Sequence, residues 1–100
     1  MRIFNKSTLR IFWEKHPDCE QALRSWYSDT KNADWNSMHD IKNDYRTADF
    51  IGDNRVVFNI KGNSYRLIIK VFYIRKLCYI NFIGTHAEYN NIDAHTIEID

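Results

Sequence analysis

Two cysteines, one proline and three glycines are all that this 100-residue chain holds of the residues that staple, break or loosen a fold. Cys19 and Cys78 stand alone, with no CxxC pair and no Cys/His spacing suited to zinc, which argues against a disulfide framework or a zinc site. They read instead as small buried hydrophobes in a reducing compartment. No apolar run approaches the roughly 20 residues of a membrane-spanning helix. The N-terminus MRIFNKSTLRIFW lacks the apolar core and cleavage site of a signal peptide. Repeats, low-complexity tracts and linkers are missing as well. These absences leave one soluble, cytoplasmic domain over residues 1–100. Its 44% hydrophobic and 15% aromatic content is enough for a core without staples.

A further lack is local. Residues 55–87 carry six cations (Arg55, Lys61, Arg66, Lys70, Arg75, Lys76) and no Asp or Glu. Residues 1–54 balance eight cations against nine acids, so the net charge of +1 hides the asymmetry. A run of one sign points to an anionic partner.

The pattern changes along the chain from helical to extended. MRIF suits a short edge strand. STLRIFWEKH reads as a helix capped by Ser7, with Leu9, Phe12, Trp13 and His16 spaced three and four apart. It should stop before Pro17, whose ring disfavours helix at the preceding residue. Pro17 then opens a second helix, with acids in its first turn and a core stripe of Cys19, Ala22, Leu23 and Trp26. Residues 31–54 are mixed; SMHDIKNDY fits a short helix with Met38, Ile41 and Tyr45 inward and His39 in solvent. From residue 55 the period is two, and RVVFNIK, SYRLIIKVFY and LCYINFIG read as three strands. Helices followed by strands predict an α+β domain, with the helices packed on the apolar face of an antiparallel sheet.

Gly62-Asn63 suits a two-residue hairpin turn of type II′. That turn sets Asn59 opposite Arg66, Val57 opposite Ile68 and Arg55 opposite Lys70. One face then carries Val56, Phe58, Ile60, Tyr65, Leu67, Ile69 and Val71 as core. The other carries Arg55, Asn59, Lys61, Arg66 and Lys70. A two-residue loop before the third strand, or a four-residue loop of the same parity, adds Cys78, Ile80 and Phe82 to the core face. It also sets Asn81 beside Lys70 and Thr85 near Arg66. Like charges paired across strands cost stability, and a polyanion on that face would offset the cost.

In GTHAEY, Thr85 and Glu88 have capping-box spacing, so a short helix should begin at His86. His86 and Tyr89 then share a face beside Arg66. With capping assigned to Thr85 and Glu88, the imidazole and phenol are left for chemistry.

The two phrases VVFNIKGNSYRLIIKVFY and YINFIGTHAEYNNIDAHTI together resemble the HigB family of toxins from bacterial toxin–antitoxin pairs, within the RelE-like superfamily. The likeness is strong over residues 55–97, and GNSYRLI with GTHAEY is its specific part. It implies a RelE-like α+β fold and metal-independent cleavage of messenger RNA on the ribosome, without a cofactor. It also implies a helix-turn-helix, HigA-like antitoxin through which alone DNA is contacted. Carried over by position, it favours Arg66, His86 and Tyr89 as catalytic residues and Lys70 as an RNA contact. The charged face adds Arg55 and Lys61 to the RNA contacts, and Asn81 joins them where the family usually has arginine. An alternative within the superfamily fold is a non-catalytic, ParE-like inhibitor of DNA gyrase; another is a plain RNA-binding module.

Overall fold

A computed structural model describes residues 1–99 of the chain. Helix α1 (Ser7–Lys15) ends two residues before Pro17. Its N-cap is Lys6, without a side-chain cap, so Ser7 begins the helix instead of capping it. Pro17–Cys19 forms one 3₁₀ turn that leads into α2 (Glu20–Lys31). Cys19, Leu23 and Trp26 are sealed from solvent as the spacing predicts. Helix α3 (Met38–Asp44) turns Ile41 inward, but Met38 is 56% exposed, contrary to expectation. No helix of the described residues is long and apolar enough to cross a membrane.

The sheet has five strands in the order β1-β5-β4-β3-β2. They are β1 (Arg2–Phe4), β2 (Asp49–Gly52), β3 (Arg55–Ile60), β4 (Tyr65–Phe72) and β5 (Leu77–Thr85). Strand β1 runs parallel to β5 at one edge, and every other pairing is antiparallel. The fold is α+β, as the helix-then-strand order implies.

The sequence pattern does not predict strand β2. Its turn to β3 is Asp53-Asn54, both left-handed (φ +51° and +60°), the backbone a type I′ hairpin requires. Nor does the pattern predict Trp35 as core. It is 1% exposed, donates from Nε1 to Asp44 at 2.9 Å, and lies 6.5 Å from the Phe58 ring. Phe58 also meets Trp26 and Tyr45 edge-on, at 5.6 and 5.1 Å. The seven residues expected on the core face of β3 and β4 are all buried.

The β3–β4 register matches expectation from Arg55↔Lys70 through Asn59↔Arg66. The β4–β5 register does not. Tyr79 faces Lys70, and a bulge at Asn81 then shifts the pairing so that Phe82 faces Ile68 and Gly84 faces Arg66. An extra residue in one strand reverses the side of every residue beyond it. Cys78 and Ile80 are therefore core as expected, whereas Phe82 moves to the opposite side and Ile83 packs against the core.

That opposite side is not an open basic surface. The C-terminal segment lies across part of it. Arg55 is 3% exposed and donates from one terminal nitrogen to the carbonyls of Ala94 (3.2 Å) and Ile97 (2.7 Å); Glu98 is 3.7 Å from the other. Val57 and Ile68 on the same side are buried too.

Candidate functional site

The site is built where the β3–β4 turn meets the end of β5. Gly62 takes φ +64°, as a glycine-first turn demands, and Ser64 N–H closes the turn on the Lys61 carbonyl at 3.3 Å. Lys61 is left-handed too (φ +51°), so β3 stops at Ile60. Asn63 projects its side chain back to Arg66. The guanidinium donates to Asn63 Oδ1 at 2.6 Å, to the Asn63 carbonyl at 3.1 Å and to the Tyr65 carbonyl at 3.2 Å. Three fixed acceptors hold a flexible side chain in one direction.

The partner of Arg66 across the ladder is Gly84, which has no side chain to obstruct it. A methyl group on Gly84 would stand 2.4 Å from the Phe82 ring and 3.2 Å from the Glu88 carboxylate, so the close approach there requires glycine. Immediately after it, Thr85 and Glu88 form the expected capping box. Glu88 N–H donates to Thr85 Oγ1 at 3.1 Å, and Thr85 N–H donates to the Glu88 carboxylate at 2.8 Å. Helix α4 (His86–Tyr89) is one turn long. It is tied to the hairpin by the His86 N–H, which donates to the Ser64 carbonyl at 3.0 Å.

These constraints bring three expected residues together. His86 Nδ1 is 3.5 Å from an Arg66 terminal nitrogen, and the Arg66 guanidinium carbon is 5.9 Å from the Tyr89 ring centre. Phe82 adds a fourth group, its ring 6.5 Å from that of Tyr89. His86 is exposed, while Arg66 and Tyr89 are half-buried. Arg66 pairs with no carboxylate among the described residues. A cation held by neutral acceptors, beside an accessible imidazole and a phenol, can bind an anion and exchange protons with it.

The other candidates are placed elsewhere. Lys70 lies on the same side of the sheet, bound to Asp53 at 3.1 Å. Lys61 turns to the helices, because its left-handed backbone redirects it, and pairs with Asp18 at 3.0 Å. Arg55 is covered by the C-terminal segment and is no surface contact. Asn81 sits in the bulge, 7% exposed, with Nδ2 unpartnered among the described residues, and is not beside Lys70. Lys76 reaches Asp34 at 2.8 Å, as well as Asn36 and the Trp35 carbonyl. The acid-free run is thus neutralised in part by acids distant in sequence. Two positioning residues, Asn63 and Gly84, escaped the sequence reading; the phrase GNSYR carried the signal for Asn63, a short polar side chain three residues before an arginine.

A family model described as HigB toxin, the RelE-like toxic component of a toxin–antitoxin system, matches residues 19–92. Among curated relatives, an mRNA interferase HigB of Escherichia coli O6:H1 (strain CFT073) is 27% identical over 97 residues, 95% of this chain and 94% of its own. An mRNA interferase toxin HigB of Escherichia coli K12 is 26% identical over 96 residues, 94% of this chain and 92% of its own. An mRNA interferase HigB of Shigella flexneri matches to the same extent. With a family model spanning most of its length and a fold of the expected class, the chain belongs to the HigB toxin family, and an antitoxin is implied as its partner.

Proposed function

We propose that this toxin is an endoribonuclease that cuts messenger RNA during translation on the ribosome. Its relatives are named mRNA interferases, and the observation that carries the reading here is the Arg66–His86 approach at 3.5 Å. In the proposed step the RNA 2′-hydroxyl loses its proton and its oxygen bonds to the adjacent phosphorus. The bond from phosphorus to the 5′-oxygen breaks, and that oxygen gains a proton. The products are a 2′,3′-cyclic phosphate and a 5′-hydroxyl. No metal or cofactor is called on.

The reaction needs a proton acceptor, a proton donor and positive charge on the phosphorane-like transition state. His86 is one of the proton-transfer groups, since its exposed imidazole, beside Arg66, has one ring nitrogen to accept a proton and one to donate. Arg66 neutralises the non-bridging oxygens; three acceptors already hold it, so little reorganisation is needed when charge develops. Tyr89 stacks on a base or assists proton transfer, and Lys70 contacts the phosphate backbone. The antitoxin is a small helix-turn-helix, HigA-like protein that masks this site and carries the DNA contacts.

The test is cleavage of a translated message, mapped at the broken ends. His86→Ala and Arg66→Ala should each slow cutting about 10²- to 10⁴-fold. Wild-type cutting by a folded His86→Ala protein would remove the imidazole from the mechanism. DNA breaks with intact transcripts would instead favour the gyrase-inhibitor alternative.

A further inference from the structure

Beyond Lys70, the uncovered side of the sheet carries a second group of side chains that the cleavage site does not use. Phe4 and Tyr79 are paired across β1 and β5 and stack at 5.0 Å with ring planes 22° apart. Phe72, diagonally across on β4, meets Tyr79 edge-on at 5.8 Å. The Arg2 guanidinium lies 5.2 Å from the Phe4 ring centre, and the Lys70 ammonium 5.9 Å from that of Phe72. The result is a row of cation, ring, ring, ring and cation across three strands. Tyr79 is 38% exposed, although it stands in the middle of a sheet whose other face is sealed. The C-terminal segment that covers Arg55 on β3 leaves Arg2 and Tyr79 exposed, and Phe4, Phe72 and Lys70 half-buried.

We propose that this aromatic row is a stacking platform for the unpaired bases of single-stranded RNA, with Arg2 and Lys70 on the flanking phosphates. The inference rests on the reading of RNA as the substrate of the Arg66–His86 site. Three observations favour that occupant. The platform shares one side of the sheet with Arg66, and Lys70 is four residues along the same strand, about 13 Å away at ~3.3 Å per residue. That distance is a few nucleotides of extended strand. Ring faces accept any base, which suits an enzyme that must hold many different messages. The flanking charges are cationic; among the described residues the single carboxylate contact is Asp53 on Lys70, itself 70% exposed and displaceable by phosphate.

The competing explanation is that the rings only stabilise neighbouring strands. Tyr79→Leu separates the two, because leucine keeps apolar contact with Phe4 but has no aromatic face. Phe72→Leu is a second probe on a different strand. Binding is read by fluorescence anisotropy with a labelled single-stranded oligonucleotide, 2′-O-methylated so that it cannot be cut, beside each variant's unfolding midpoint. Tyr79→Leu and Phe72→Leu should bind roughly 5- to 100-fold more weakly, with Tyr79→Trp at least as tight as wild type. Wild-type affinity in folded Tyr79→Leu and Phe72→Leu, while wild type cuts a translated message and Arg66→Ala does not, would overturn the platform and leave the nuclease standing. A wild-type protein that neither binds the oligonucleotide nor cuts a message would overturn both.

Discussion

Gly84 shows how much of the site depends on a missing atom. Its hydrogen lets the Phe82 ring and the Glu88 carboxylate close over the strand end, and it leaves the space opposite Arg66 empty. Gly84→Ala should force the ring aside and strain the capping box. The expected cost is about 1–3 kcal/mol, of the size usual for overpacking, measured by urea unfolding. Because α4 carries His86 and Tyr89, message cleavage should fall with it, about 10²-fold for a displacement near 1 Å. Unchanged stability and cutting in Gly84→Ala would show that the neighbours yield freely. Asn63 matters in the opposite sense, through atoms present: its carbonyl and amide oxygens supply two of the three acceptors that aim the guanidinium.

At the scale of elements, the contact between the first helical turn after Pro17 and the start of β4 is electrostatic. The Tyr65 hydroxyl donates to Asp18 at 2.6 Å, and Lys61 donates to the other carboxylate oxygen at 3.0 Å. The Tyr65 hydrogen bond first, then that of Lys61, holds the Asp18 carboxyl below the ordinary carboxylate range. The same Asp18 contact pushes the Tyr65 phenol up to about 12. For Asp18, whose titration is depressed by folding, the stabilisation is present above its unfolded pKa of about 3.9 and is lost as pH falls through the folded value. For Tyr65, raised by folding, the stabilisation is present below about 10 and is lost as pH rises through its folded value. Asp18→Asn should therefore destabilise the protein at neutral pH and flatten the loss of stability below about pH 4. Urea midpoints measured across that range check the sign; a variant whose acid limb stays as steep as that of wild type would show that other carboxylates dominate.

The elements were legible from sequence where one local rule decided them. The β3–β4 hairpin has strict alternation and a glycine-first turn, and its register is as expected. The capping box at Thr85 is a four-residue pattern that needs no tertiary information. Strand β2 has four residues and turns through Asp53-Asn54 without a glycine between them, too little signal to stand out. The bulge is invisible because Asn81 in YINF looks like ordinary polar alternation. A four-residue loop and this bulge shift the pairing by two residues and then back by one. Gly84, not Thr85, therefore faces Arg66, and the histidine still arrives beside the arginine. The fate of Arg55 and Lys61 depends on residues 39 or more positions away, which no local pattern encodes.

At the scale of the whole molecule, the helices and sheet enclose one core that runs from Leu9 to Ile80 and takes in both cysteines. Burial pushes the Cys78 thiol up to about 12, and burial, then Asp18, raises that of Cys19. Thiolate is the reactive form, so the native protein should resist alkylation at pH 8, and two equivalents should react once it is unfolded in urea. A rapidly modified thiol in the native state would mean that the core opens locally near α2 or β5.

The additional residue at position 81 has an effect larger than its size. It acts as a half-step in the phase of β5: were Asn81 paired in regular alternation instead of bulged out, Ile83 would face Arg66, and Ile83 and Thr85 would occupy the side where Phe82 and Gly84 now stand. Deleting Asn81 would leave Phe82 opposite Ile68 and Gly84 opposite Arg66, whereas drawing it into the ladder would turn the imidazole away from the guanidinium. The meeting of those two groups is thus set by which residue the ladder leaves unpaired as much as by which ones it pairs.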